Sequence, residues 1–275
     1  MLAGATLTAL EARAERIDAA RLRARALAVA GWGGAALLVG ASLWTIVVAD
    51  TDWSRITAES VLRSLGRFAK VDLRIFAELA RPALDTAIMA TLATLLGGAM
   101  ALPIAWLGAA NVTPFGRASV LAARFLMTVS RSVHEIVWGL LFVAAAGLGT
   151  LAGVLAMSVR SIGFVSKTVA DAIEEADPGP IEAMRAVGAS RAQILFWAIL
   201  PQVVPVLLGN LVFEWDVNVR RSTVMGLVGA GGLGLALHRQ LAAYEYGGVS
   251  AVILVILGLI LLGELASHHA RKAIL

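Results

Sequence analysis

The chain has 275 residues, of which 59% are hydrophobic and 15% charged, and it contains no cysteine. Soluble domains have about 25% charged residues on average, so this chain has too few to cover a solvated surface. Several apolar stretches exceed the roughly 18 residues that indicate a membrane-spanning helix. The composition therefore predicts an all-α integral membrane protein, and it excludes disulfides and thiolate metal sites.

The basic residues indicate contact with a lipid bilayer. The formal net charge is +4, and the basic residues are scattered between the apolar stretches. Such residues anchor helices at the membrane surface, so we expect no nucleic-acid partner. Residues 1–26 form a long arginine-rich amphipathic arm without the short basic region and early cleavage site of a secretory signal. We expect this arm to be retained, and to lie in the cytoplasm.

The apolar pattern predicts about six membrane spans. They cover residues 27–49, 82–107, 117–146, 150–172, 192–217 and 247–266. The mixed-charge residues 50–81 are expected outside the membrane or at its surface. Pro82 would begin the second span, because its missing N–H is unpaired there anyway. Residues 82–270 would then form a five-helix core, in which residues 117–146 are either one bent span or two partial ones.

Six spans place both termini on the same side of the membrane. The arginines before the first span assign that side to the cytoplasm, although the segment 50–81 is also basic and opposes this orientation. With the termini inside, the polar residues 173–191 between the fourth and fifth spans are cytoplasmic. The sequence therefore predicts a multi-pass protein of the bacterial plasma membrane.

Residues 181–201, IEAMRAVGASRAQILFWAILP, interrupt the apolar pattern. Ile181, Met184 and Val187 recur at helical spacing, which predicts a short amphipathic helix outside the bilayer. Gly188 allows a close approach or a sharp bend, and Pro201 should kink the next span or mark its start. On these grounds alone the segment is either an ordinary interfacial helix or a docking element.

The same segment resembles the cytoplasmic EAA loop of ATP-binding-cassette importer permeases. That loop reads EAA, three residues, G, nine residues, I, one residue, LP. The chain matches it at Glu182, Ala183, Gly188, Leu200 and Pro201. It differs at Met184, where the loop has alanine, and at Ala198, where the loop has isoleucine. The resemblance implies that residues 173–191 hold coupling helices, which fit a groove on a separate ATPase. The residues that it assigns to this coupling are Glu182, Ala183, Arg185, Gly188, Leu200 and Pro201.

Longer stretches are similar to phosphonate importer permeases. They are RSVHEIVWGLLFVAAAGLG (131–149), EEADPGPIEAMRAVGASR (174–191) and FEWDVNVRRSTVMGLVGAGGLG (213–234). His134 stands where the family has proline. The resemblance implies a type I, MetI-like importer permease that works as a homodimer by alternating access. Its implied partners are two ATPase subunits, which hold ATP and Mg, and one extracytoplasmic binding protein. Its implied substrate is phosphonate or a related small oxyanion such as phosphite or phosphate.

The sequence GAGGLG at 229–234 has the spacing G-x-G-x-x-G. A dinucleotide site also requires a preceding strand, a following helix and a later acidic residue, which are not convincing here. Non-helical backbone at membrane depth is tolerated where it is buried in protein or faces water. We therefore interpret Gly229, Gly231 and Gly232 as part of a re-entrant or gate segment, and the resemblance implies the extracytoplasmic gate.

Polar residues are concentrated at the end of the fifth predicted span. They are Glu214, Asp216, Asn218, Arg220, Arg221, Ser222 and Thr223. Each charge in a span costs about 2.5–3.5 kcal/mol on insertion, so such charges pair or line a water-filled path. Our hypothesis is that the two arginines lie near the translocation pathway and favour an oxyanion, with the hydroxyls as added donors. The alternative is that they extend to the membrane surface.

Arg131 and Glu135 are four residues apart, which predicts an intramembrane ion pair on one helix face. His134 has no companion ligands at metal spacing, so no metal site is predicted. No nucleophile elbow and no P-loop is present, so we expect a transport subunit without cofactor, not an enzyme. A permease for another solute such as an amino acid remains an alternative. A secondary transporter should show internal repeats, and we find none.

Overall fold

The computed structural model describes residues 2–49, 51–53 and 57–274, and every regular element in them is helical. The α-helices are α1 (Leu2–Leu43), α2 (Ala58–Phe68), α3 (Phe76–Gly108), α4 (Gly116–Ser132), α5 (Glu135–Ala146), α6 (Thr150–Glu174), α7 (Pro178–Ala186), α8 (Arg191–Ile194), α9 (Leu200–Met225), α10 (Gly232–Ala242) and α11 (Tyr246–Ile274). Trp44–Ala49 and Leu195–Ile199 are π-helical, and Leu73–Ile75 and Gly226–Val228 are 3₁₀ turns. The chain divides into two units, Met1–Ser64 and Leu65–Leu275.

The first unit is dominated by α1, which continues into the π-helical segment Trp44–Ala49. The predicted arm and the predicted first span are therefore one helix, without a break at residue 26. Side chains of the first 20 residues lie outside the described ones. Helix ends leave carbonyls without partners. Here Thr51 Oγ1 donates to the carbonyl of Ile46 at 2.6 Å, and Trp53 Nε1 donates to that of Val47 at 2.5 Å.

The second unit is built around α6, in which 14 of 25 residues are buried. Helices α3, α4, α5 and α9 pack on it. Small residues allow close approach between helices in membranes. A Cβ atom on Gly97 of α3 would lie 2.6 Å from Cβ of Ser161 on α6. The absence of a side chain at Gly97 therefore lets α3 lie directly against α6.

Four helical stretches are long and apolar enough to cross a membrane, or five if the bent pair α4–α5 forms one span. They are Arg21–Ala49, Ala58–Gly108, Ala192–Val228 and Tyr246–Lys272. The sequence predicted six spans, and the one that is missing from this set is residues 150–172, which lie in α6. That helix has 25 residues, about 37 Å at the usual rise, but it does not reach the required apolarity. Its polar residues Arg160 and Ser161 face neighbouring helices, as the site described below shows.

The sequence predicted that Pro82 begins the second span, and this prediction is wrong. Helix α3 starts at Phe76, and Pro82 lies inside it. A proline inside a helix lacks the N–H that would bond to the carbonyl four residues earlier. The carbonyl of Pro82 itself accepts a hydrogen bond from Thr86 Oγ1 at 2.8 Å. Six residues of the predicted surface segment therefore belong to the spanning helix.

The glycine-rich sequence 226–234 forms a tight turn between α9 and α10. Gly229, Gly231 and Gly232 have φ values of 92°, 87° and 66°, a backbone conformation that residues with a side chain rarely adopt. The backbones of Gly226 and Gly234 cross so closely that a Cβ on Gly234 would overlap the carbonyl oxygen of Thr223. The turn is therefore fixed by backbone contact.

We expect Gly234→Ala to lower the free energy of unfolding by about 1–3 kcal/mol or more, because the added methyl would clash with the backbone of Thr223 and Gly226, which cannot rotate away as a side chain can. Gly209→Ala in α9 is the matched control, because nothing lies within 4 Å of its Cβ position. The control should be neutral or stabilising by about 0.5–1 kcal/mol, since glycine weakens a helix interior. Thermal unfolding of both purified variants in nanodiscs checks this. Equal unfolding midpoints would contradict the close crossing.

Candidate functional site

The predicted docking segment is a helix–turn–helix whose two ends are closed by backbone and side-chain caps. Asp177 caps the start of α7, where its Oδ1 accepts from the N–H of Gly179 at 2.9 Å. Val187 ends the helix, and Gly188 follows with φ of 78°. Glycine is the residue that adopts this left-handed conformation without a Cβ penalty. The sharp bend predicted at Gly188 is present.

The bend has the hydrogen bonds of a Schellman motif. The N–H of Gly188 donates to the carbonyl of Arg185, and that of Ala189 to the carbonyl of Met184, each at 3.0 Å. A capping box starts α8 two residues later. Gln193 Oε1 accepts from the N–H of Ser190 at 2.8 Å, and Ser190 Oγ accepts from the N–H of Gln193 at 3.4 Å. The two helices are thus joined by a turn with little freedom.

The inner face of this element is attached to the spans. Ile181 and Ile194 are buried in one apolar cluster with Ile173 at the end of α6. The N–H of Asp177 donates to Oε1 of Gln202 on α9 at 2.8 Å. Helix α7 is therefore attached to both α6 and α9.

The outer face of α7 and its turn is exposed and made mostly of small residues. Glu182, Ala183, Arg185 and Gly188 are all exposed, and Val187 is 80% exposed. Exposed small and apolar side chains beside one charge of each sign suit contact with another protein. The predicted docking residues of α7 therefore share an accessible surface. Leu200 and Pro201 do not share it, because they begin α9 after the π-helical Leu195–Ile199.

A second group of polar residues lies between α5, α6 and α9, and its centre is Glu214, whose side chain is 1% exposed. Glu214 Oε2 accepts from Arg221 Nη1 at 3.1 Å and from Ser161 Oγ at 2.8 Å. Asn218 donates through Nδ2 to Ser161 Oγ and to Thr94 Oγ1, each at 3.0 Å. Buried polar groups are stable only when they are hydrogen-bonded in this way.

The group extends to Glu135 at the start of α5. Glu135 Oε1 lies 3.5 Å from Arg221 Nε, and Glu135 Oε2 lies 3.3 Å from Arg160 Nε. We call Glu135, Arg160, Glu214 and Arg221 the charge network. Two arginines and two glutamates make it formally neutral. A closed neutral set avoids the cost of an unpaired buried charge.

The predicted ion pair of Arg131 with Glu135 is wrong. The spacing assumed one continuous helix, whereas α4 and α5 meet at a 92° bend between the two residues. Glu135 therefore turns to Arg160 and Arg221 instead. Arg131 contributes its backbone carbonyl, which accepts from Arg160 Nη1 at 2.9 Å. His134 caps α5 by accepting from the N–H of Ile136 at 3.3 Å.

The other predicted pathway residues have separate partners. Arg220 donates to Asp216 at 2.6 Å, one helical turn away. Ser222 Oγ and Thr223 Oγ1 donate to backbone carbonyls of their own helix at 2.8 and 2.7 Å. Their hydroxyl hydrogens are therefore already used, and of Arg220, Arg221, Ser222 and Thr223 only Arg221 joins the charge network, which also contains Glu214.

The glycine-rich turn lies against the starts of α3 and α6. The carbonyl of Gly229 accepts from the N–H of Gly149 at 3.1 Å, and the N–H of Leu233 donates to Thr86 Oγ1 at 2.8 Å. Cβ atoms on Gly231 and Gly232 would lie 3.0 and 2.6 Å from side-chain atoms of Thr150 and Thr86. The turn thus closes one end of the helix packing.

Sequence reasoning missed Arg160, Ser161 and Thr94, which complete the charge network and its hydrogen bonds. The signal for Arg160 was present, because it is a cation in the middle of a predicted span and such residues need a partner. Ser161 and Thr94 gave no signal, since hydroxyls are frequent in membrane helices. In the part of the chain that the structure describes, no group of three histidine, cysteine or acidic residues could hold a metal ion.

We expect Glu214→Gln to destabilise the protein by about 3–5 kcal/mol, because it removes half of a buried pair and leaves Arg221 under-compensated. The double variant Glu214→Gln with Arg221→Met should be more stable than the single variant, since it removes the uncompensated charge as well. Glu59→Gln breaks an exposed pair with Arg63 and is the control with little expected effect. Thermal unfolding in nanodiscs measures all three, and additive losses in the double variant would contradict the network.

Comparison with protein families gives a match over most of the second unit. Residues 99–274 match the family described as "Binding-protein-dependent transport system inner membrane component". The matched region contains α4 to α11, and with them the docking element, the charge network and the glycine-rich turn.

Two relatives extend the likeness along the chain. It is 37% identical over 253 residues to the phosphite transport system permease protein PtxC of Stutzerimonas stutzeri, which covers 88% of this chain and 90% of that protein. It is 36% identical over 276 residues to the phosphate-import permease protein PhnE of Mycolicibacterium smegmatis, which covers 99% of this chain and 52% of that protein. The chain thus spans about half the length of the second relative.

Solved structures show the same fold. The inward-facing MetNI methionine ABC transporter matches with a TM-score of 0.64 and 23% identity, over 74% of this chain and 100% of that chain. An amino acid ABC transporter matches with a TM-score of 0.58 and 21% identity, over 79% of this chain and 99% of that chain. The predicted MetI-like fold is confirmed. The chain belongs to the binding-protein-dependent transport system inner membrane components and is a multi-pass permease of that family.

Proposed function

We propose that this permease imports a small phosphorus oxyanion, such as phosphonate, phosphite or phosphate, with energy from a separate ATPase. It would work as a homodimer with the pathway at the two-fold interface, two ATPase subunits and one extracytoplasmic binding protein. The substrate class is supported by relatives at 36–37% identity, a phosphite and a phosphate permease. The solved amino acid transporters share only the fold at 21–23% identity.

The coupling role is carried by one observation, the capped and exposed helix α7 that is fixed to two spanning helices. A subunit that converts motion of a partner into motion of its own spans needs a stiff lever with an accessible contact surface. The Schellman motif and capping box supply the stiffness. Glu182, Ala183, Arg185 and Gly188 supply the surface. Ile181 and the bond from Asp177 to Gln202 supply the attachment.

The orientation follows from this role. An ATPase is cytoplasmic, so α7 would face the cytoplasm, and with α6 as a sixth span both termini would do so as well. The glycine-rich turn lies at the starts of α3 and α6, whereas α7 follows the end of α6. The two sites would therefore be on opposite sides of the bilayer, with Gly229, Gly231 and Gly232 at the extracytoplasmic gate.

The test of the function is uptake into proteoliposomes that contain this chain and its candidate ATPase. ATP is enclosed in the lumen, on the side that α7 faces. We expect accumulation of labelled phosphite or methylphosphonate only with ATP and with the loaded binding protein present. Labelled methionine under the same conditions is the control for the amino acid alternative. Uptake of methionine without uptake of any phosphorus oxyanion would overturn the substrate class, and uptake without an ATPase would overturn the mechanism.

The lever is tested at Gly188, where nothing lies within 4 Å of the Cβ position and φ is 78°. Gly188→Val should cost about 1–2 kcal/mol in this conformation and distort the bend. Gly188→Asn is the matched control, because asparagine tolerates the left-handed region. We expect the valine variant to lose most binding-protein-stimulated ATPase activity and the asparagine variant to retain it. Equal activities of the two variants would show that the bend geometry is not used for coupling.

A further inference from the structure

The ion pairs of Glu135 differ from the rest of the charge network, because they lack hydrogen-bond geometry. Its two oxygens lie 3.3 and 3.5 Å from Nε atoms of Arg160 and Arg221. Nε of Arg160 is a buried donor without a hydrogen-bond partner among the described residues. A carboxylate that satisfied both arginines would lie at about 2.7–2.9 Å. Glu135 therefore neutralises two guanidinium groups without satisfying their donors.

Both guanidinium groups are fixed from their other side. Arg221 Nη1 donates to Glu214 at 3.1 Å and to Asn218 Oδ1 at 3.4 Å. Arg160 Nη1 donates to the carbonyl of Arg131 at 2.9 Å. These anchors lie on α9 and at the end of α4, so they hold the arginines in place independently of Glu135. What faces Glu135 is a pre-arranged pair of Nε–H donors.

We propose that Arg160 and Arg221 form an oxyanion-binding site and that Glu135 occupies it when the substrate is absent. The assignment rests on the proposed function for the identity of the anion, a phosphorus oxyanion. A guanidinium fork matches the oxygens of such anions in pairs. A phosphonate presents three oxygens, whereas Glu135 presents two. A phosphonate can therefore accept hydrogen bonds from both arginines at once. The site takes a small tetrahedral oxyanion in place of the carboxylate.

The position of Glu135 suits displacement. It is the first residue of α5, directly after the 92° break that separates α5 from α4. A side chain at a helix start can rotate away without breaking hydrogen bonds of the helix. The side chains of Glu135, Arg221 and Arg160 are 14%, 16% and 29% exposed. Glu214 is only 1% exposed, so it serves as the fixed counter-charge and not as the exchangeable one.

A second unsatisfied donor lies on the same helix. Trp138 is three residues after Glu135 on α5, and its indole N–H is buried without a hydrogen-bond partner among the described residues. Trp138 packs against a cluster that includes Met157 of α6 and Met225 of α9. These residues lie one turn from Arg160 and Arg221 respectively. Trp138 thus packs against the same pair of helices that Glu135 contacts.

The test is direct binding of methylphosphonate to the full-length chain in nanodiscs, without ATPase or binding protein. We expect Glu135→Gln to raise the affinity at least about tenfold, because it removes the competing charge and keeps the shape; tenfold corresponds to about 1.4 kcal/mol. Arg160→Gln should abolish binding. Arg239→Gln, an exposed arginine on α10, loses the same charge and should bind as the wild type does.

Stability gives a second readout that a purely structural network would not produce. Glu135→Gln should melt at a lower temperature than the wild type, and methylphosphonate should restore the loss while potassium chloride of equal ionic strength does not. Equal effects of the two salts, or wild-type binding by Arg160→Gln, would overturn the site. If Glu135→Gln does not fold, binding by Arg160→Gln alone decides.

The outcome for this site is separable from that for the function. Oxyanion uptake by the wild type together with unchanged binding in Arg160→Gln would refute the site and leave the importer intact. Anion binding that depends on Arg160, without ATP-driven uptake of any phosphorus oxyanion, would support the site and refute the importer.

Discussion

Ionised side chains within packed membrane helices are stable only when each has a partner, and this constraint determines how α5, α6 and α9 meet. Glu214 is almost fully buried, and it is held by Arg221 from its own helix and by Ser161 from α6. Arg160 of α6 and Glu135 of α5 complete a neutral set. An apolar interface would leave these helices free to slide, whereas hydrogen-bonded charges allow few registers. The network therefore specifies how these three helices pack.

The glycine-rich turn and α7 are connected through the same helix. Helix α6 starts beside the glycine-rich turn, where Gly149 bonds to Gly229, and it ends beside α7, where Ile173 packs with Ile181. Its middle carries Arg160 and Ser161 of the polar group. Helix α9 likewise runs from the docking element to the glycine-rich turn. A motion of α7 can thus reach both the charge network and the turn through two continuous helices.

The capped turn at Gly188 and the interruptions of regular helix lie at different places in the chain. The turn at Gly188 is closed by four capping hydrogen bonds, two in the Schellman motif and two in the capping box. The α4–α5 bend and the π-helical Leu195–Ile199 interrupt regular helix beside the charge network and after α8. Such interruptions are places where a helix changes direction at low cost. A permease that alternates between two states requires rigid levers separated by joints of this kind.

The sequence by itself determined the class and the family and located the amphipathic helix α7, because these depend on local features. Apolar length predicts spanning helices, and the spacing of Glu182, Gly188 and Pro201 survives any tertiary arrangement. The helix boundary at Pro82 was wrong, since proline is tolerated inside a helix that neighbours support. Tertiary structure alone decided the partners of the charges. Arg131 and Glu135 share a helix face only if the helix is straight, and the 92° bend sends Glu135 to residues 25 and 86 positions away. Charge pairing depends on distance in space, and sequence spacing reports that distance only within one unbroken helix.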